Sequence, residues 1–194
     1  DPCEISYLAK MAKPTVSIIN NAAPAHLEGF GDVPGVAKAK GELFAGLAAD
    51  AVCVINADDE FAGLWNSMAA PRRVISFGLN AVADVSANWS GDITGSDVEL
   101  ITPAGTVSLR LALPGQHNVM NALAATAVAV TQGVPADAIA SGLSKVGSVE
   151  GRLETVDAGQ DFAIVVDYAH TPDALEKTIG TVARLVPGRL ITVF

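Results

Sequence analysis

Residues 51–56 read AVCVIN and residues 73–77 read RVISF, two short β-branched runs bounded by polar or turn-forming residues. A run apolar at nearly every position, rather than at alternate ones, belongs to a strand covered on both faces, as in a buried, mostly parallel sheet. Working outward, TVSIIN (15–20), FAIVVDY (162–168) and RLITVF (189–194) repeat the pattern. Helical patterns at about 34–49, 119–132, 136–145 and 172–186 alternate with these runs, so the class is α/β, a mostly parallel sheet flanked by helices. The last helix is the best marked. Thr171 can cap it, Pro172 fits its first turn, Asp173 and Glu176 suit its positive end, and Pro187-Gly188 closes it. Gly133 stops the Ala-rich helix that Asn121 helps begin. Between about Asp84 and Leu113 the texture changes. Val107, Leu109, Leu111 and Leu113 alternate with smaller or polar neighbours after a Pro103-Ala104-Gly105 turn, which predicts a hairpin in a small antiparallel sub-sheet.

The balance of 12 Lys+Arg against 21 Asp+Glu gives a net charge of −9. Without a basic cluster this argues against binding to nucleic acid or to an anionic membrane. Half of the 194 residues are hydrophobic, and a chain of this size can bury roughly 70% of its unfolded surface. Cys3 and Cys53 form no CxxC pair, so neither a disulfide framework nor a structural zinc site is indicated. No apolar run reaches the roughly 18 to 20 residues that span a bilayer, and no signal pattern opens the chain. The expected compartment is a reducing cytosol. Asp1 in place of an initiator Met, with both ends close to predicted elements, suggests a fragment.

The three histidines each sit in a polar knot beside a predicted strand end or helix start: His26 in NNAAPAHLEGFG, His117 in PGQHNVMN and His170 in VDYAHTPD. Open α/β sheets place their ligands at such points. In the helix at 34–49, Val36, Leu43, Phe44 and Leu47 share a face, and Lys40 falls on that stripe whereas Lys38 points away. A lysine there either snorkels to the edge or is held for a task. Burial lowers a lysine's pKa, and a neutral amine can add carbon dioxide to become a carboxylate-like metal ligand. His26 upstream and Glu42 nearby make a hard-metal site plausible. In NADDE (56–60), Asp58 and Asp59 could bind magnesium or cap the next helix. Asp167 ends a strong strand with Tyr168, His170 and Asp173 just beyond, a placement suited to ribose or phosphate. Arg152 in GRLE offers a planar donor fork to phosphate, or lies solvated at the surface. The G-x-x-x-x-G-K-[ST] phosphate loop is absent from these residues.

The motifs NNAAPAHLEGFGDVPGVAKAKGELF, NADD, LPGQHNVMNALAA, GRLE and VDYAHTPDAL, in this order, resemble the central ATPase domain of the Mur ligases over nearly the whole chain. Residues from about Glu4 to Leu143 resemble the branch that adds D-alanyl-D-alanine; residues 151–194 resemble the branch that adds the third residue of the peptide. A hybrid lineage, a chimera or divergence would each produce that split. On this resemblance, residues 1–188 are a central domain and 189–194 begin a C-terminal one. The family's phosphate loop and magnesium-binding glutamate would precede Asp1, and its amino-acid pocket would follow Phe194.

The resemblance implies an ATP-dependent carbon–nitrogen ligase of the bacterial cytoplasm that extends the UDP-N-acetylmuramoyl-peptide precursor of peptidoglycan through an acyl phosphate. Its cosubstrate would be D-alanyl-D-alanine or an amino acid. It implies that His26 binds the second of two magnesium ions and that Lys40 is carbamylated. It further implies that His117, Asn118 and Asn121 lie on the nucleotide side of ATP, and that Arg152, Asp167 and His170 face phosphate and ribose. Gln116 stands where the family pattern carries arginine. The chain by itself is expected to be inactive.

Overall fold

The computed structural model describes residues 4–24, 31–186 and 188–194, the side chain of Asp173 excepted. Helix α1 (Glu4–Ala12) leads into β1 (Val16–Ile19), then α2 (Val33–Ala45), β2 (Val52–Asn56), α3 (Ala62–Ala69) and β3 (Arg73–Phe77). The three strands pair in parallel in the order β1-β2-β3, with Ile18 opposite Val54 and Val54 opposite Ile75. Alternate residues point to opposite faces, and both faces are covered. Ile19, Cys53 and Ile55 pack with Ala37, Phe44 and Trp65 of α2 and α3. Val54, Ile75 and Phe77 pack on the other side with Val119 and Leu123. That double coverage is why the sequence of these strands reads as continuous apolar runs. At Gly41 of α2 an added Cβ would meet Met68 and lie 3.3 Å from Trp65 Cδ1, so a glycine is what lets α3 approach this closely.

The segment 84–113 forms a meander of β4 (Ser86–Asp92), β5 (Gly95–Thr102) and β6 (Gly105–Leu111), one strand more than the hairpin expected. Leu109 and Leu111 are buried, as their alternation requires, and join Val98 and Leu100 in the core beneath α4 (Gln116–Thr131). Helix α4 starts at Gln116, five residues ahead of Asn121, and its N-cap is Gly115. Asn121 therefore lies inside the helix, and it is Asn118 whose side chain bonds back to Pro114 O, at 2.8 Å. Gly133, at φ +70°, ends the turn after α4 in the left-handed region expected of a helix stop, and α5 (Ala136–Leu143) follows.

The remaining elements are β7 (Glu154–Val156), β8 (Ile164–Val166) and α6 (Pro172–Leu185). The Thr171 hydroxyl caps α6 by accepting from Ala174 N, as its sequence predicts. Two strand expectations fail here. FAIVVDY contributes only the short β8, which pairs antiparallel with β7, outside the parallel sheet, and leaves Ile164 and Val166 exposed. RLITVF forms no strand among the described residues, and Ile191, Val193 and Phe194 are exposed. An apolar run records that a segment suits a strand; a ladder also needs a neighbour with free backbone groups, which the run itself does not reveal. No described helix is long and apolar enough to cross a membrane.

Candidate functional site

The C-terminal ends of β1 and β2 are tied together by side chains of the single NADDE motif acting on the backbone that leaves β1. Asn56 Nδ2 donates to Asn20 O at 2.8 Å, and Asn56 Oδ1 accepts from Asp58 N at 2.9 Å. Asp59 accepts from Ala22 N through Oδ2 and from Phe61 N through Oδ1, each at 2.9 Å, the latter just ahead of α3. Asp58 reaches the other way and accepts from the backbone N–H of Leu79, Asn80 and Ala81 at 2.7 to 3.2 Å. Its partial burial pushes the pKa up, but these N–H donors and the Asn80 amide together outweigh that and hold the carboxyl below its ordinary range. A Cβ on Gly78 would lie 2.8 Å from Asp58 Oδ1, so the carboxylate fits only because residue 78 has no side chain. Asp58 and Asp59 are thus engaged in fixing loops, and neither caps α3, whose N-cap residue Phe61 has no side-chain cap bond.

Lys40 lies beside this knot. It is half-buried while Lys38 is exposed, and its Nζ donates to Asn21 O at 2.7 Å. As its place on the helix face predicts, Lys40 is directed by α2 at the backbone leaving β1. His26 itself lies outside the described residues. Among the described residues no group of three His, Cys, Asp or Glu side chains could hold a metal ion.

A second polar region is a cleft of about 1120 Å³ between the start of α4, the 149–153 turn, the end of β8 and one face of α6. It gathers His117, Asn118, Asn121, Arg152, Asp167 and His170, which come from three separate motifs; Lys40 does not line it. Gly115 makes the junction possible. Its φ of +91° suits glycine, and an added Cβ would lie 3.0 Å from Thr181 Cγ2 and 3.1 Å from His117 Cε1. The cleft walls withdraw water from His117 and push its pKa down, an effect that the negative charge of Asp167 partly offsets. Arg152 places Cζ 5.6 Å above the Tyr168 ring, and the Tyr168 and His170 rings meet edge to face at 5.0 Å. His170 Nδ1 is 2.8 Å from Tyr168 O.

Asp167 is the most connected of these side chains. Oδ2 accepts from Leu153 N at 2.9 Å, while Oδ1 accepts from Ala169 N at 2.9 Å and from the Thr178 hydroxyl at 3.2 Å. The α6 residues Lys177, Thr178, Thr181 and Arg184, which also line the cleft, lie outside the sequence motifs. Their spacing of three and four residues is the signal that places them on one helical face.

A model of the Mur ligase middle domain matches residues 3–129, and a model described as the Mur ligase glutamate ligase domain matches residues 151–194. The chain belongs to the Mur ligase family. The two matched stretches of this Mur ligase chain meet at the cleft, with His117, Asn118 and Asn121 from the first and Arg152, Asp167 and His170 from the second. The chain is 36% identical over 193 residues to the UDP-N-acetylmuramoyl-tripeptide–D-alanyl-D-alanine ligase of Escherichia coli, covering 98% of this chain and 43% of that protein. It is 39% identical over 187 residues to the UDP-N-acetylmuramoyl-L-alanyl-D-glutamate–2,6-diaminopimelate ligase of Geobacter metallireducens, covering 92% and 36%. Among solved structures, MurF from Acinetobacter baumannii superposes with a TM-score of 0.87 at 29% identity over 96% of this chain and 41% of that one. MurF from Thermotoga maritima in complex with ADP shares the fold, with a TM-score of 0.82 at 24% identity over 97% and 43%. The chain spans less than half the length of these relatives.

Proposed function

We propose that the cleft between α4 and α6 binds the nucleotide of an ATP-dependent amide ligase that extends a UDP-N-acetylmuramoyl-peptide by D-alanyl-D-alanine. The observation that carries this reading is the convergence of six side chains, expected from separate motifs, on one cleft of about 1120 Å³. A volume of this order accommodates a nucleotide-sized ligand. The chemistry of the lining fits such a ligand. The positive end of the α4 macrodipole and the Arg152 guanidinium suit phosphate oxygens, and the amides of Asn118 and Asn121 suit a base or ribose edge. The ADP complex of the Thermotoga maritima MurF, a protein of the same fold, supports a nucleotide as the ligand.

Magnesium-ATP, when bound, would supply the phosphoryl group that activates a carboxylate toward an incoming amine. In this reading His26 and a carbamylated Lys40 hold the second magnesium. The bond from Lys40 to Asn21 O, five residues before His26 in sequence, supports this reading. The division of the chain after residue 188 belongs to the same proposal; its support is that β8 and α6 form the cleft together with α4.

A second reading, addition of a single third residue such as diaminopimelate, is favoured by the 39% identity to the Geobacter metallireducens ligase and by the VDYAHTP strand end. Assaying the ligase with UDP-N-acetylmuramoyl-tripeptide plus D-alanyl-D-alanine, against the dipeptide precursor plus diaminopimelate, separates the two. ADP release only with the first pair is the expected result, and release only with the second establishes the alternative. The metal assignment has its own test. Lys40→Ala should abolish the second manganese-binding event of the ligase while Lys38→Ala leaves it; equal effects from both contradict it.

A further inference from the structure

We infer that Thr178 is a positioning residue, acting through Asp167 on the turn that carries Arg152. A threonine inside a helix ordinarily returns its hydroxyl to the carbonyl of the preceding turn, as Thr181 does to Lys177 O at 2.8 Å. Thr178, one turn earlier on the same face of α6, donates instead across the structure to Asp167 Oδ1 at 3.2 Å. The same carboxylate holds Leu153 N at 2.9 Å. Leu153 needs holding: at φ +45° it adopts a left-handed conformation that a branched side chain disfavours, with its side chain buried. Arg152 is thus fixed from both sides, by its own N–H to Val149 O at 3.0 Å and by the clamped Leu153 N–H that follows. Its guanidinium is held over Tyr168 at the cleft wall.

Two backbone donors, Leu153 N and Ala169 N, leave the Asp167 carboxylate attached only to the turn and to the strand exit. The Thr178 hydroxyl supplies the third attachment and the one that ties the turn to α6. Loss of the hydroxyl removes the tie between the carboxylate and α6 and loosens its hold on the turn, and the effect reaches the ligand through Arg152, which Thr178 does not touch. The consequence for nucleotide affinity rests on the function proposed above; the consequence for the turn does not.

The test compares Thr178→Val, which keeps the shape and removes the hydroxyl, with Thr178→Ser, which keeps the hydroxyl. Two readouts are taken on the 194-residue chain: amide hydrogen exchange at Leu153 and along α6, and the dissociation constant for ADP. Thr178→Val should lower protection at Leu153 by about tenfold, the size of one lost hydrogen bond, leave the amides of α6 protected, and weaken ADP binding. Thr178→Ser should restore both. Unchanged Leu153 protection in Thr178→Val, or a loss spread evenly along α6, overturns the inference. Absence of ADP binding by the unmutated chain overturns the nucleotide reading alone, and the Leu153 readout then still decides the role of Thr178.

Discussion

At the end of β2 the side chains of Asn56, Asp58 and Asp59 are all turned onto backbone atoms of neighbouring loops. In the cleft, by contrast, the Arg152 guanidinium, the Asn121 amide and the His117 imidazole make no side-chain hydrogen bond to a described residue. Both regions are polar, lie beside strand ends or helix starts and draw on conspicuous motifs. They differ in how much polar capacity is already used: in the cleft Asp167, Asn118 and His170 are bonded to described protein groups, whereas Arg152, Asn121 and His117 are not. Two adjacent carboxylates in NADDE suggest a cation site in a sequence, but their oxygens are engaged by N–H donors that would otherwise be left unsatisfied. The cleft keeps the Arg152 and Asn121 donors unbonded along its lining, which is what a ligand requires.

Substitutions should therefore separate the two regions by which property they damage. Asp58→Ala removes a carboxylate that holds three consecutive backbone N–H groups and should cost about 3 kcal/mol of stability, read from chemical denaturation, with ADP affinity little changed in the folded fraction. Arg152→Ala should do the reverse, weakening ADP binding by about 10- to 100-fold through loss of charge-assisted contacts while its exposed side chain leaves the melting temperature nearly constant. A loss of stability equal to that of Asp58→Ala would erase the distinction. Gly115→Ala, at the junction of the two matched stretches, should damage both. The backbone conformation at Gly115 costs a residue with a Cβ about 1 to 3 kcal/mol, and the new methyl presses on Thr181 and His117.

Acid should reveal the two regions in separate steps. His117 has a folded pKa below the ordinary 6.5, so its contribution to stability is full above that value and is lost as pH falls from there toward the lowered pKa. Asp58 has a folded pKa below the ordinary 3.8; its contribution is full above that value and is lost as pH falls through the lowered pKa. His117→Gln should remove the first step and Asp58→Asn the second, in stability measured against pH. The smallest effect should come from Lys38→Ala, within about 0.5 kcal/mol of the unmutated chain, as for an exposed residue with no structural task.

The strands of the central sheet were legible because coverage on both faces leaves a direct trace, an apolar residue at nearly every position of 52–56. The same rule failed at 162–168 and 189–194, where pairing depends on a neighbour and not on the segment. The polar β4, SANWSGD, carries no alternation and was not distinguished as a third strand. The short helix α3 has no strong cap: Phe61 precedes it without a side-chain bond to it. In the cleft, His117, Arg152, Asp167 and His170 stood out as chemistry-bearing residues beside turns, but their convergence is a property of the fold. Thr178 escaped notice because nothing in ALEKT distinguishes a hydroxyl that returns to its own helix from one that reaches across to Asp167.

The most direct test is a calorimetric titration of the 194-residue chain with magnesium-ATP, alongside its Arg152→Ala and Asp59→Ala variants. The expected result is weak binding that Arg152→Ala lowers by about 10- to 100-fold and Asp59→Ala retains. A chain that melts cooperatively yet binds no nucleotide would contradict it.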